Sequence, residues 1–273
     1  MQQRILITGA GGRVGTDLRP RLGAPGRMLR LLDSRDLQPL PDEPGGVEYV
    51  RASITDPDAM VEACTGVRAV VHLAGLPREN TMQEMLAVNL QGTYNVLEAA
   101  RRTGVERVVL ASSNHAVGFH PAGEPQTALP ADIPGRPDTL YGWSKVAIEA
   151  LGRLYHDRYG LGVICLRIGQ WGGTPGSPRG LALWLSPDDG ARLVEASLSV
   201  EAPGYRIVWG VSRNTRGFWS LAEGEAIGYH PKDDSEVHAP AVLSLRPAMD
   251  WGGGPAVRGI GGAWCDRPLG EPA

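Results

Sequence analysis

Thr8-Gly9-Ala10-Gly11-Gly12-Arg13-Val14-Gly15 decides the reading of this chain, because a short apolar run at residues 4–7 leads into it and a helical pattern begins directly after it. Gly9, Gly12 and Gly15 stand three apart. In a chain with 37 glycines such a cluster can be a plain turn. Between a first strand and a first helix it does more. The tight turn needs positive φ, a pyrophosphate needs close backbone approach, and the helix start offers unpaired N–H groups to the anion. Gly9, Gly12, Arg13, Val14 and Gly15 are therefore candidate dinucleotide-binding residues. The second apolar run ends at Asp33, 18 residues past Gly15, where a carboxylate accepts hydrogen bonds from ribose hydroxyls and repels a 2′-phosphate. NAD is expected over NADP, a preference that Arg13 and Arg35 soften.

Outward from that turn, short apolar runs at residues 28–32, 47–50, 69–73, 107–111 and 163–168 read as further strands buried on both faces. Helical segments separate them, the clearest at 82–102, where Met85, Val88, Gly92, Val96 and Ala100 recur every three or four residues, and another at 142–159. This alternation predicts an α/β fold with a doubly wound parallel sheet. Gly/Pro-rich stretches at 121–137 and 172–180 follow strands whose C-terminal ends face the cofactor crevice, and are candidate substrate loops. After Val211 periodicity fades. Residues 1–170 are expected to form the dinucleotide-binding core, with 171–273 completing the sheet, the substrate site and a tail within the same structural domain.

Composition narrows the partners. A net charge of -3 from 27 basic and 30 acidic side chains, scattered along the chain, argues against nucleic acid. No stretch approaches the roughly 18 apolar residues of a membrane span, and no cationic leader precedes the first strand, so a soluble cytoplasmic protein is expected. Cys64, Cys165 and Cys265 are far apart and form no C-x-x-C pair, which fits a reducing compartment and suggests neither zinc nor a redox dithiol.

Tyr141-Gly142-Trp143-Ser144-Lys145 puts a tyrosine and a lysine on one face of the helix after the fifth strand. A phenol ionises near 10, so acting as a base at neutral pH requires a stabilised phenolate, and the Lys145 ammonium is placed to supply that. Ser113, at the end of strand five, is placed to hold the reacting oxygen. Tyr141, Lys145 and Ser113 are the candidate catalytic set. His115 and Arg179, seen alone, would ordinarily be a structural histidine and a solvated charge.

With T-G-x-x-G-x-x-G, His72-Leu73-Ala74-Gly75, Asn89, Ser113 and Tyr141/Lys145, the chain resembles the extended short-chain dehydrogenases, a Rossmann-fold group. Within that group it is most similar to the uronate dehydrogenases. The similar segments are Ala111-Ser112-Ser113-Asn114-His115, Leu140 to Lys145, Arg167-Ile168-Gly169, Arg179, Trp184 to Asp189, Val208-Trp209-Gly210 and Gly228 to Asp233. The resemblance implies NAD-dependent oxidation of C1 of galacturonate or glucuronate to an aldarolactone, in an enzyme expected to form a homo-oligomer. It implies that Ser53, Ile54, Leu73, Ala74, Gly75 and Asn89 also lie at the cofactor. Ser113, Asn114, His115, Tyr141, Gln170 and Arg179 would meet the sugar acid, Arg179 offering a planar fork to its carboxylate. Three positions depart from the family: Pro77 and Gln170 replace serines, and Ser53 replaces the aspartate that meets adenine. A nucleotide-sugar epimerase or dehydratase is the rival enzyme, and an NAD-sensing regulator the rival outside enzymes. The short C-terminal part opposes the first; the Tyr141/Lys145/Ser113 set opposes the second.

Overall fold

Runs of Val, Ile and Leu that are apolar on both faces belong in the middle of a layered structure, and a computed structural model places them there; it describes residues 3–124, 127–245 and 259–272. Strands β1 (Gln3–Thr8), β2 (Arg27–Asp33), β3 (Val47–Arg51), β4 (Ala69–His72), β5 (Arg107–Ser113) and β6 (Gly162–Ile168) are joined by a small ribbon, β7 (Gln170–Trp171) with β8 (Trp184–Leu185), and by β9 (Tyr205–Gly210). The main sheet runs β3-β2-β1-β4-β5-β6-β9, parallel throughout. The order reverses beside β1, and the C-terminal ends of β1 and β4 border the crevice there.

Alternate strand residues feed two layers. Ile5, Ile7, Val109 and Ile164 pack with Leu18 of α1 (Arg13–Leu18) on one side. On the other, Leu6, Val70 and Val108 meet Met60 of α2 (Pro57–Cys64). The helix expected at 82–102 is divided into α3 (Met82–Glu84), a π-helical stretch Met85–Gln91 and α4 (Gly92–Thr103). A three-or-four spacing does not reveal the extra residue of a π turn, which here carries Asn89 into the interior. α5 spans Leu140–Tyr159, two residues earlier than expected, because Thr139 caps it by accepting from Gly142 N (3.0 Å).

Beyond β6 come α6 (Pro178–Leu183), α7 (Pro187–Ser199), α8 (Ala222–Glu225) and α9 (Ala239–Leu245). Leu193 and Leu198 of α7 join the first layer. A separate core of Val117, Leu183, Trp209, Phe218, Trp219 and Ile260 ties the β5 loop, α6 and the C-terminal tail together. Among the described residues no helix is long and apolar enough to cross a membrane.

Candidate active site

The glycine turn divides its work. Gly9 has φ +70, and a Cβ there would lie 2.6 Å from Ala74 N, so the turn presses directly on the loop after β4. A Cβ on Gly15 would lie 2.7 Å from the Ala10 backbone; that glycine lets α1 pack close and lines neither cavity of the crevice. Gly11 N and Arg35 N donate to the two oxygens of Asp33, at 2.9 and 3.1 Å. Thus pinned, Asp33 borders a cavity of about 360 Å³, together with Gly9, Gly12, Ser53 and Ile54. Leu73, Ala74 and Gly75 form its far wall. A second cavity of about 130 Å³, lined by Val14, Ser113, Tyr141 and Lys145, shares Leu73, Gly75 and Leu76 with the first. Two chambers with a common wall, reached over a turn stripped of side chains, fit a dinucleotide laid across them. Arg13 extends toward Gly173, where a Cβ would lie 3.2 Å from its guanidinium. Asn89 is outside both chambers; it braces their shared wall, accepting from Leu76 N (2.7 Å) and donating to Ser144 Oγ (3.0 Å).

At the inner chamber, burial pushes the Tyr141 phenol up to about 12, and its hydrogen bond with Ser113 pulls the other way. Lys145 is buried too, which brings its ammonium down to about 8. Its Nζ donates to Ala111 O (2.8 Å) and stands 5.4 Å from the centre of the Tyr141 ring. In the protein alone desolvation is the largest influence on the phenol, and the Lys145 ammonium lies over the ring face.

Behind Tyr141 lies a polar wall. His115 Nδ1 donates to Asp138 Oδ2 (2.6 Å), and the imidazole stacks on Trp264 at 4.1 Å. Trp264 also stands 5.9 Å from the Tyr141 ring. Arg179 donates to Ile260 O through Nε (3.0 Å) and Nη2 (2.6 Å), and Asn114, with its amide oriented to satisfy both ends, accepts from Nη2 and donates to Ile168 O. Gln170 lies beside α6, its Oε1 occupying the space a Cβ on Gly180 would need. Pro77 lines the inner chamber.

Sequence reasoning missed Glu79, Asp138, Thr139 and Trp264. Asp138-Thr139 before a helix is a capping signal open to reading. Glu79 accepts from Tyr141 N (2.9 Å), Leu140 N (3.2 Å) and Gly270 N (2.8 Å), contacts that span 62, 61 and 191 residues and leave no local pattern.

Residues 5–185 match the family model of the NAD dependent epimerase/dehydratase family. The chain is 37% identical to a uronate dehydrogenase of Agrobacterium fabrum over 98% of each chain. It is 39% identical to an NAD-dependent glucose-6-phosphate dehydrogenase of Haloferax volcanii, over 86% of this chain and 95% of that one. A crystal structure of a mutant uronate dehydrogenase from Agrobacterium tumefaciens complexed with NAD superposes with a TM-score of 0.87, at 36% identity over 97% of this chain and 98% of that one.

Proposed function

Since the chain belongs to the NAD dependent epimerase/dehydratase family, alongside uronate dehydrogenases, we propose that Tyr141 takes the proton from the C1 hydroxyl of a pyranose hexuronic acid as C1 gives up hydride, leaving an aldarolactone. The protein is an NAD-dependent oxidoreductase acting on a CH–OH group of a uronic acid. Bound NAD⁺ supplies the hydride acceptor and a cationic ring. The side chains do the rest. Ser113 lines the same chamber as the phenol and steadies the sugar oxygen beside it. The Lys145 ammonium, fixed by Ala111 O, favours the phenolate form of Tyr141, which takes the sugar proton and becomes the phenol. Arg179, bonded to Asn114, supplies the positive charge for the C6 carboxylate. The observation that carries this reading is the meeting of Ser113, Tyr141 and Lys145 in a chamber that shares a wall with the Asp33 cavity.

A second reading, C1 oxidation of a sugar other than a uronate, draws support from Pro77 in the inner chamber and from the glucose-6-phosphate dehydrogenase relative. One assay separates the two. NADH absorbance is followed with the full chain, NAD or NADP, and galacturonate, glucuronate, glucose 6-phosphate, neutral hexoses and UDP-sugars. Uronates with NAD should give the highest kcat/KM, by tenfold or more. A larger value for glucose 6-phosphate would transfer the assignment to the second reading, and NADP used as well as NAD would remove Asp33 from cofactor choice. Cytoplasmic residence and a homo-oligomer complete the proposal. Free thiols at Cys64, Cys165 and Cys265 support the first, and exposed Tyr94, Leu154 and Tyr159 on α4 and α5 the second. Light scattering tests the oligomer.

A further inference from the structure

His115 and Asp138 form a paired set that proton abstraction by Tyr141 does not use. Asp138 is buried, and both its oxygens are engaged: Oδ2 accepts from His115 Nδ1 (2.6 Å), and Oδ1 accepts from Thr139 Oγ1 (2.8 Å). Thr139 in turn accepts from Gly142 N, which ties the carboxylate to the start of α5. Space for Oδ2 is made from two distant parts of the chain. A Cβ on Gly118, after β5, or on Gly261, in the tail, would overlap it. The imidazole is clamped as well, with Trp264 stacked on its face and Tyr141 edge-on at 6.0 Å. Nε2, on the opposite side of the ring from Nδ1, makes no hydrogen bond with any described residue.

We propose that Asp138 is a positioning residue for sugar recognition: by holding the proton on His115 Nδ1 it leaves a lone pair on Nε2, so the site presents a hydrogen-bond acceptor to a sugar hydroxyl next to the one Tyr141 deprotonates. A carboxylate only accepts, so the proton between these two atoms belongs to the imidazole. Protonation of the ring would convert that acceptor into a donor. Several groups oppose it. Burial lowers the His115 pKa, the positive charges of Arg179 and Arg267 act in the same direction, and Asp138 opposes them; Tyr141 faces the ring as a neutral phenol. The site thus keeps a neutral, singly oriented imidazole.

This inference rests on the uronate reading for its substrate but not for its first measurement. Nitrogen-15 NMR of the full chain with labelled histidine, the His115 signals identified by their loss in His115→Gln, should show Nδ1 protonated and Nε2 bare at pH 8. That test needs neither a sugar nor a folded Asp138 variant. The opposite tautomer, or a doubly protonated ring, would overturn the proposal. In Asp138→Asn the amide can keep its oxygen on Thr139 and turn its NH₂ toward Nδ1, driving the proton to Nε2. The tautomer should then reverse, the KM for the best sugar of the panel should rise about tenfold to a hundredfold, as when other orienting carboxylates are lost, and NADH affinity should be unchanged. An unchanged tautomer and KM would also overturn it. If no uronate is turned over, the substrate reading fails while the NMR result still decides the role of Asp138.

Discussion

Tyr141 sits in surroundings that resist its ionisation, which makes its proton the sensitive quantity at the residue scale. Replacing it by Phe removes the hydroxyl and leaves the cavity walls, so we expect kcat to fall about a hundredfold to ten-thousandfold while NADH binding, read by fluorescence, persists. The pH profile follows from the two shifts. With the phenol near 12, uronate oxidation should accelerate as pH rises from 7; with Lys145 near 8, the climb should level once the ammonium loses its charge. Lys145→Ala should displace the limb to higher pH. Arg179 has two candidate duties, since its guanidinium meets both Asn114 and the tail carbonyl of Ile260. A charge-assisted hydrogen bond contributes about 1.5–3 kcal/mol, so Arg179→Ala should lower kcat/KM for uronates about tenfold to over a hundredfold, with Arg179→Lys between, and change neutral sugars far less. Equal losses on both would assign Arg179 to docking the tail.

α5 carries Tyr141 and Lys145, and what orients it is a capping arrangement gathered from two parts of the chain. Thr139 caps one N–H of its first turn, and Glu79 accepts from Leu140 N and Tyr141 N, beyond the reach of solvent. Glu79→Ala strips both donors of their acceptor and should lower stability by about 1–2 kcal/mol, seen as a lower urea midpoint, with kcat falling and NAD affinity retained. The helices and strands themselves were legible because their signals are local: periodicity for α4, the glycine turn for β1 and α1, Y-x-x-x-K for the catalytic face. The π stretch at Met85–Gln91 and the Glu79 cap on α5 were not, since one adds a residue without altering the apolar spacing and the other depends on a glutamate 62 residues away.

For the whole molecule, acid should be the weak side. His72 lies between Thr8 and Thr93 under the crevice; Thr93 gives its proton to Asn89 O, so Nε2 donates to Thr93 and Nδ1 accepts from Thr8, a neutral ring with no place for a second proton. Burial, with the Lys145 charge adding to it, takes its pKa down to about 3. An unfolded histidine binds its proton near 6.5, so between pH 6.5 and 3 the unfolded chain holds the extra proton and stability is lost as pH falls. The slope should be about 1.4 kcal/mol per pH unit for each such histidine, and His115, also shifted down, steepens it. Denaturant titrations at pH 7, 6 and 5 measure this, and His72→Gln should flatten the dependence. The tail was the least legible part, because its value lies in where Ile260, Trp264 and Gly270 end up and not in any repeat they contain. That placement also has a consequence in time. On the ribosome the glycine turn emerges before Trp264, so the residues that border the Asp33 cavity are made before the wall behind Tyr141 gains its tryptophan. A chain interrupted between the two is expected to carry every residue of the Asp33 cavity while lacking the ring that stacks on His115.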